Sequence, residues 1–374
     1  MSHRVAILCE YPTLNGGEQS MLATLSGVQA AGFRSTVLAP PEGPLAVELH
    51  QRGVEVVPFC TFSADGTRRD QPSLRAELSM RLKQLGPNLL HANSLAMGRL
   101  SGPVAAEMHL PSMAHLRDIL KLSRQAIADL NRHGRLLAVS EATRRFHAGQ
   151  GVAAEKLHVL HNGIDLQQFQ PRPSSGYLHR ELGLPSAAPL IATIGQLGLR
   201  KGQDVLAEAV PRLAEAGTDF HWLLAGERHS DKDESRRFEA RLRRLAAGPL
   251  AGRMHLLGFR YDIDRLLGEL TLLVHPARQE PFGRVLLEAA ASGVAVVATD
   301  VGGTREIFPP RSGSAILVPP DDPTALAGAV GQLLGDPALH AAIAAATRRQ
   351  AVTALDIRRA LSGLLMHYHE LLTG

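Results

Sequence analysis

The sequence predicts an α/β protein made of two doubly wound, Rossmann-like parallel-sheet domains. Short apolar runs recur along its 374 residues with helical stretches between them, the alternation expected of parallel strands joined by crossover helices. The series runs twice. Between the two series lies Gln170-Pro-Arg-Pro-Ser-Ser-Gly176, which has the composition of a linker. The length allows two full cores, and 45% hydrophobic with 20% charged residues is ordinary globular composition.

In the first series the expected strands are residues 5–9, 35–39, 54–58, 88–92, 112–116 and 135–140. Thr13-Leu-Asn-Gly16-Gly17-Glu18 separates the first strand from a helix over residues 19–31 that Gly32 closes. The glycine pair lets backbone approach a ligand closely, or simply serves a turn that needs left-handed residues. Ligands to doubly wound sheets bind beyond the carboxyl ends of the strands. That rule singles out His91-Ala-Asn93-Ser94 and His115-Leu-Arg117-Asp118, although a lone histidine at a strand end is more often structural than functional.

Residues 117–145 are rich in cations, including Lys121, Arg124, Arg132, Arg135, Arg144 and Arg145, beside an apolar set of Leu116, Ile119, Leu120, Ile127 and Leu130. This is either a face for an anionic membrane or a lipid-linked acceptor, or a solvated helix face. The net charge of +4 is mildly basic and favours anionic partners. Nucleic acid is not expected, because aromatics are only 4% and no long Lys/Arg run occurs. Two cysteines, Cys9 and Cys60, make neither a disulfide framework nor a metal site. Met1-Ser-His-Arg-Val runs straight into a strand, and no apolar run approaches a membrane span. A cytoplasmic location is expected, with contact at the inner face of the membrane if the basic segment serves that role.

The second series begins at residues 190–195. Gln196-Leu-Gly-Leu-Arg200-Lys201-Gly202 follows, then a helix through about Ala216. Two adjacent cations on a loop after a strand suit a diphosphate. Further strands are expected within residues 222–227, 254–258, 272–274, 294–298 and 315–319, and a final amphipathic helix over residues 357–372. The Asp-x-Asp at Asp262 and Asp264 is read as a helix N-cap and not a metal site, and no metal is expected elsewhere. Between residues 272 and 298 the pattern is strand, loop, helix, strand, with Glu280 ending the loop and Glu288 inside the helix. The N–H groups of Phe282, Gly283, Arg284 and Val285 at that helix start are expected to attract a phosphate. Carboxylates on either side accept sugar hydroxyls. A phosphate seat between two hydroxyl acceptors suits a nucleotide sugar, and an ordinary βαβ unit with both carboxylates solvated is the plain alternative.

The run Glu280-Pro-Phe-Gly-Arg-Val-Leu-Leu-Glu288, followed by Gly302-Gly303-Thr-Arg-Glu306, resembles the E-x7-E region of the retaining GT-B glycosyltransferases of family 4. The resemblance covers nearly the whole chain. It implies two Rossmann-like domains facing a cleft, an N-terminal acceptor domain (1–169), a C-terminal donor domain (170–352) and a helix (353–374) returning to the first domain. It implies retaining, metal-independent transfer from a nucleotide-diphosphate sugar, UDP first and GDP next, to a glycan, lipid-linked or small-molecule acceptor, with no other cofactor. Glu288 would hold the ribose and Glu280 the donor sugar. The main chain of Phe282 and Gly283 would contact sugar and phosphate, with Arg284 and Val285 beside them. Gly16 and Gly17 would face the phosphates, His115 the donor sugar near the reacting carbon, and Phe259 and Arg260 the base. His91, Asn93 and Arg117 would lie on the acceptor side. The family's phosphate cations are an arginine and a lysine. Here Lys201 matches, but Gln196 stands at the arginine's place, with Arg200 the substitute. A nucleotide-sugar epimerase or phosphorylase on a related scaffold, or a non-catalytic nucleotide-sugar-binding protein, remain as other readings.

Overall fold

The computed structural model describes residues 3–215, 217 and 219–373. Among these the chain divides into two compact units, residues 1–163 with 357–374, and residues 164–356. The sequence places the divisions at 169/170 and 352/353. The linker-like stretch is in fact pinned within the second unit. The Glu269 carboxylate accepts from the Ser174 and Ser175 hydroxyls and from the Ser175 and Gly176 N–H groups, at 2.6–2.9 Å. Where the chain enters and leaves the second unit, the Ile164 N–H donates to the Leu355 carbonyl and Ile164 bridges Asp356.

The strands of the first unit are β1 (His3–Leu8), β2 (Phe33–Ala39), β3 (Glu55–Pro58), β4 (Leu89–Ala92), β5 (Ser112–Leu116), β6 (Arg135–Ala138) and β7 (Leu157–Val159). They form one parallel sheet in the order β3-β2-β1-β4-β5-β6-β7. β4 and β5 are buried along their whole length, as strands covered on both faces are, and each is largely apolar in sequence. Helices on the two faces supply two cores. The final helix, Ile357–Thr373, belongs to this unit and buries Leu364 and Tyr368 on the face that also holds β1. β7 was not among the expected strands.

The second unit contains β8 (Leu190–Ile194), β9 (His221–Ala225), β10 (Met254–Gly258), β11 (Leu272–His275), β12 (Ala295–Thr299) and β13 (Ile316–Val318). These also run parallel, in the order β10-β9-β8-β11-β12-β13. The helix after β8 is Gln203–Glu215. Its expected end at Ala216 lies outside the described residues. In both sheets the strand order reverses beside the first strand, between β1 and β4 and between β8 and β11. Loops at such a switch point splay apart and leave a crevice beyond the carboxyl ends. No helix among the described residues is long and apolar enough to cross a membrane.

The apolar set near residue 120 faces mainly inward. Leu116 and Leu130 are fully buried core residues and Ile127 packs against that core, so of the set only Leu120 is exposed. Asp262 does occupy an N-cap position, but its side chain caps nothing. Its carboxylate instead accepts from Arg260 and from the Tyr177 hydroxyl, at 2.8–2.9 Å.

The two loops at the second switch point are locked together. Gly202 has φ +66°, and a Cβ there would lie 1.9 Å from the Pro276 carbonyl oxygen. Arg278 donates to the Leu199 carbonyl at 2.6 Å and pairs with Asp204 at 2.8 Å. We expect Gly202→Ala to cost at least about 1–2 kcal/mol from the left-handed backbone alone, or roughly 2–8 °C in a unit of this size. Scanning calorimetry checks this, and an unchanged melting profile would contradict the locked-loop description.

Candidate active site

β11 ends on His275, and the loop after it runs to Gly283 before the helix Arg284–Ser292. Within that loop Glu280 is only 4% exposed. A carboxylate so deep needs a cation and hydrogen bonds. Lys201 Nζ lies 2.5 Å from Glu280 Oε2, and His275 Nε2 lies 2.9 Å from the same oxygen. Burial by itself raises the Glu280 carboxyl, but the Lys201 ammonium and the His275 hydrogen bond outweigh it and hold the group well below the ordinary carboxylate range. His275 is fully buried, and desolvation keeps its pKa below the usual histidine value. The neutral ring therefore donates Nε2–H to the carboxylate. Both contacts fall on Oε2. Among the described residues Oε1 has no hydrogen-bond partner, so it is the acceptor left for an incoming hydroxyl.

Glycines bring backbone against this carboxylate. A Cβ on Gly283 would sit 3.1 Å from Glu280 Cδ. Gly302 has φ +52°, a Cβ there would lie 2.0 Å from the Glu280 carbonyl oxygen, and the Gly303 N–H donates to that carbonyl at 2.9 Å. The N-cap residue Gly283 has no side chain to cap the helix that starts at Arg284, so the start of that helix and its dipole lie beside Glu280. One turn on, Arg284 Nε donates to Glu288 Oε1 at 2.7 Å. Burial raises the Glu288 carboxyl despite that arginine, and among the described residues Arg284 Nη1 is buried with no hydrogen-bond partner. Phe282 is buried, Val285 is half-buried and Arg200 is exposed. Gln196 is half-buried, and its carbonyl accepts from Gln203 Nε2 at 2.9 Å. At the end of β10, Phe259 presents 42% of its surface. Arg260 beside it is held by Glu181 and Asp262.

In the first unit the switch point is built on amides and imidazoles. Arg117 donates Nε to the Asn93 carbonyl, Nη2 to Asn93 Oδ1 and Nη1 to Asn162 Oδ1, each at 2.9 Å. Asn93 Nδ2 donates to the Gly17 carbonyl at 3.1 Å. A Cβ on Gly17 would meet Arg117 Cδ at 3.1 Å, whereas one on Gly16 would meet nothing. This places Gly17, Asn93 and Arg117 in one scaffold, with Gly16 exposed at the start of the uncapped helix Gly16–Ala30. His91 and His115 are buried side by side, with His91 Nε2 2.8 Å from His115 Nδ1. Both line a small cavity with Ser20, Thr24, Arg117 and His161.

The structure thus brings together Lys201, Glu280 and Gly283 in one unit, and Gly17, Asn93, Arg117, His91 and His115 in the other. It sets Phe259 and Arg260 apart at a different strand end. Sequence reasoning passed over His275, Gln203, Arg278 and Asn162. Only His275 carried a signal, as a polar residue ending an apolar strand at a switch point. No group of three or more His, Cys, Asp or Glu side chains among the described residues could hold a metal ion.

Each unit is thus an all-parallel, doubly wound sheet with a polar cluster at its switch point, the place where such folds bind ligands. Comparison with known proteins identifies the family. The model described as "Glycosyltransferase Family 4" matches residues 14–168, and that described as "Glycosyl transferases group 1" matches residues 188–336. The chain belongs to the family 4, group 1 glycosyltransferases, and it is a glycosyltransferase. It is 28% identical over 358 residues to a phosphatidyl-myo-inositol mannosyltransferase of Mycolicibacterium smegmatis, covering 90% of this chain and 86% of that one. It is 32% identical over 238 residues, 60% of each chain, to a GDP-mannose-dependent monoacylated alpha-(1-6)-phosphatidylinositol monomannoside mannosyltransferase of Corynebacterium glutamicum. Its fold is that of Anabaena Alr3699/HepE, solved in complex with UDP-glucose, at 23% identity and a TM-score of 0.85 over 98% of this chain and 99% of that one.

Lys201→Met tests the cluster. Breaking a buried ion pair leaves an uncompensated charge and costs about 3–5 kcal/mol. In the native site the Glu280 carboxyl is held below its ordinary 4.5. Its contribution to stability is therefore complete above that pH and fades as pH falls below it. Without Lys201, burial moves the carboxyl upward, and the deficit grows as pH rises. Urea unfolding at pH 5 and pH 8 should show the larger loss at pH 8, and equal losses at both would contradict the pairing.

Proposed function

We propose that this glycosyltransferase moves a hexose from a nucleotide-diphosphate sugar to a glycan or lipid-linked acceptor, with retention of configuration and without a metal ion. The observation that carries the donor half is the Glu280 carboxylate. One oxygen is saturated by Lys201 and His275, and the other is open, beside an uncapped helix N-terminus. A diphosphate supplies the anion that the helix start and Lys201 attract. The sugar supplies hydroxyl donors for Glu280 Oε1, and a ribose supplies one for Glu288. Arg284 Nη1, buried without a partner, is a further donor for an oxygen of the same ligand.

Departure of the diphosphate is the step that needs charge stabilisation. Lys201 and the N–H groups at the start of the helix Arg284–Ser292 provide it as preorganised electrostatics. The departing phosphate oxygen takes the acceptor's proton while the acceptor oxygen bonds to the anomeric carbon from the same face. That path preserves configuration and needs no separate carboxylate base. It also agrees with Glu280, which is held ionised by a lysine and a histidine and accepts hydrogen bonds without titrating. Gln196 contributes a neutral hydrogen bond where an arginine would contribute charge, and this leaves Lys201 with the larger share.

The relatives support either base: the Corynebacterium mannosyltransferase is named GDP-mannose-dependent, and the Anabaena structure holds UDP-glucose. The acceptor half draws on the mannosyltransferase named for a phosphatidylinositol and on exposed groups near the end of β1. Tyr11 and Phe62 are 40% and 37% exposed, their rings stack at 6.4 Å, and Arg68 lies over Phe62 while paired to the buried Glu10. Aromatic faces with a carboxylate and a guanidinium beside them suit a sugar ring. Contact with an anionic membrane would use Lys121, Arg124 and Arg132, which are exposed together with Leu120.

Calorimetric titration with UDP, GDP, ADP and a sugar of each, without metal and then with magnesium, tests the reading. We expect one nucleotide to bind with an affinity that magnesium leaves unchanged. Glu288→Ala should weaken it about tenfold, the equivalent of one charged hydrogen bond. Binding by none of them, or binding only with magnesium, would contradict the proposal.

A further inference from the structure

Tyr368 lies on the C-terminal helix Ile357–Thr373 and is 0% exposed. Its ring packs edge-on against Phe33 and His91. Among the described residues its hydroxyl has one hydrogen-bond partner, His91 Nδ1 at 2.7 Å, and His91 Nε2 continues to His115 Nδ1 at 2.8 Å. Three groups stand in a row, and both imidazoles are neutral because burial, reinforced by the nearby Arg117 charge, holds them below the ordinary histidine range.

A neutral imidazole carries one ring proton, so the direction of one bond sets the next. Suppose the phenol oxygen accepted from His91 Nδ1–H. Its own O–H would then be buried with no acceptor, at a cost of about 1–3 kcal/mol. Donation from Tyr368 to Nδ1 removes that cost. His91 then carries its proton on Nε2 and donates it to His115 Nδ1, so His115 carries its proton on Nε2. That last nitrogen has no partner among the described residues and is not among the buried unpartnered atoms, and His115 lines the cavity.

We propose that Tyr368 is a positioning residue: through His91 it holds His115 in the single tautomer that presents an Nε2–H donor to the cavity, so that the ligand group met there is a hydrogen-bond acceptor such as a sugar oxygen. The identity of that ligand rests on the transferase reading above, whereas the direction of the chain does not. Tyr368→Phe deletes only the hydroxyl and leaves the packed ring in place.

Long-range proton–nitrogen NMR of histidine-labelled protein, with the two rings assigned from His91→Asn and His115→Asn, reads the tautomers without turnover. In the wild type both rings should be neutral at pH 7 and protonated on Nε2 only, with Nδ1 of each shifted as a hydrogen-bond acceptor. A proton on Nδ1 of either ring overturns the proposal. In Tyr368→Phe the His91 Nδ1 signal should move to that of an acceptor with no donor. The kcat/KM for sugar transfer should fall about three- to tenfold, the size of one neutral hydrogen bond, while affinity for the free nucleotide stays unchanged. A folded variant with wild-type transfer or wild-type nitrogen signals overturns it as well. Failure of the donor reading shows differently, as loss of nucleotide binding in the wild type with the tautomers as stated.

Discussion

An ionised carboxylate buried in protein must be paired, and much of the second unit follows from how Glu280 meets that requirement. Its cation, Lys201, comes from the loop after β8, and its second donor, His275, from the end of β11. The pair therefore ties the two loops that diverge at the switch point. Backbone has to approach closely for the pair to form, which is why Gly202, Gly283 and Gly302 stand where a methyl group would strike the Pro276 carbonyl, the Glu280 side chain and the Glu280 carbonyl. Arg278, bound to Asp204, Asp321 and the Leu199 carbonyl, clamps the same loops from the solvent side. What this packing leaves over is one carboxylate oxygen, an ammonium with donors to spare and a helix start, the groups that the proposed donor site would use.

The two units share one topology and differ in what fills the crevice. The second is built on charge, which suits a leaving diphosphate. The first is built on amides and neutral imidazoles around the Arg117 guanidinium. Arg117 spends its fork on Asn93 and Asn162, Asn93 supports the Gly17 carbonyl, and the imidazoles are kept uncharged. Hydrogen-bond direction, more than charge, is what such a site offers a sugar. The C-terminal helix has a part in this, because Tyr368 reaches the histidine pair from it.

Sequence pattern revealed the strands well where both faces are buried. Residues 112–116 and 272–274 are buried along their length and read as short, largely apolar runs. β7 escaped notice because Leu157-His-Val159 is three residues long and polar at its centre. Pro/Ser composition suggested a tether at residues 170–176, yet the same serines and N–H groups are the natural partners of a buried carboxylate, and Glu269 claims them. Asp262 stands at a helix start as its position suggested, but Arg260 and Tyr177 compete for its oxygens. Within the candidate site, Lys201, Glu280, Gly283 and Glu288 were readable from local spacing. His275, Gln203 and Arg278 were not, because their roles depend on which loops meet in space. The Tyr368–His91 contact joins residues 277 apart in the chain, and no local pattern announces it.

The central claim is that Lys201 is the group that meets the leaving diphosphate. The most direct measurement compares affinity for the nucleoside diphosphate with that for the monophosphate, in wild type and in Lys201→Met. The wild type should prefer the diphosphate, and the variant should lose most of this preference while its monophosphate affinity, which also reports an intact fold, changes little. A diphosphate preference that survives in Lys201→Met would contradict this role for Lys201 and place the diphosphate elsewhere.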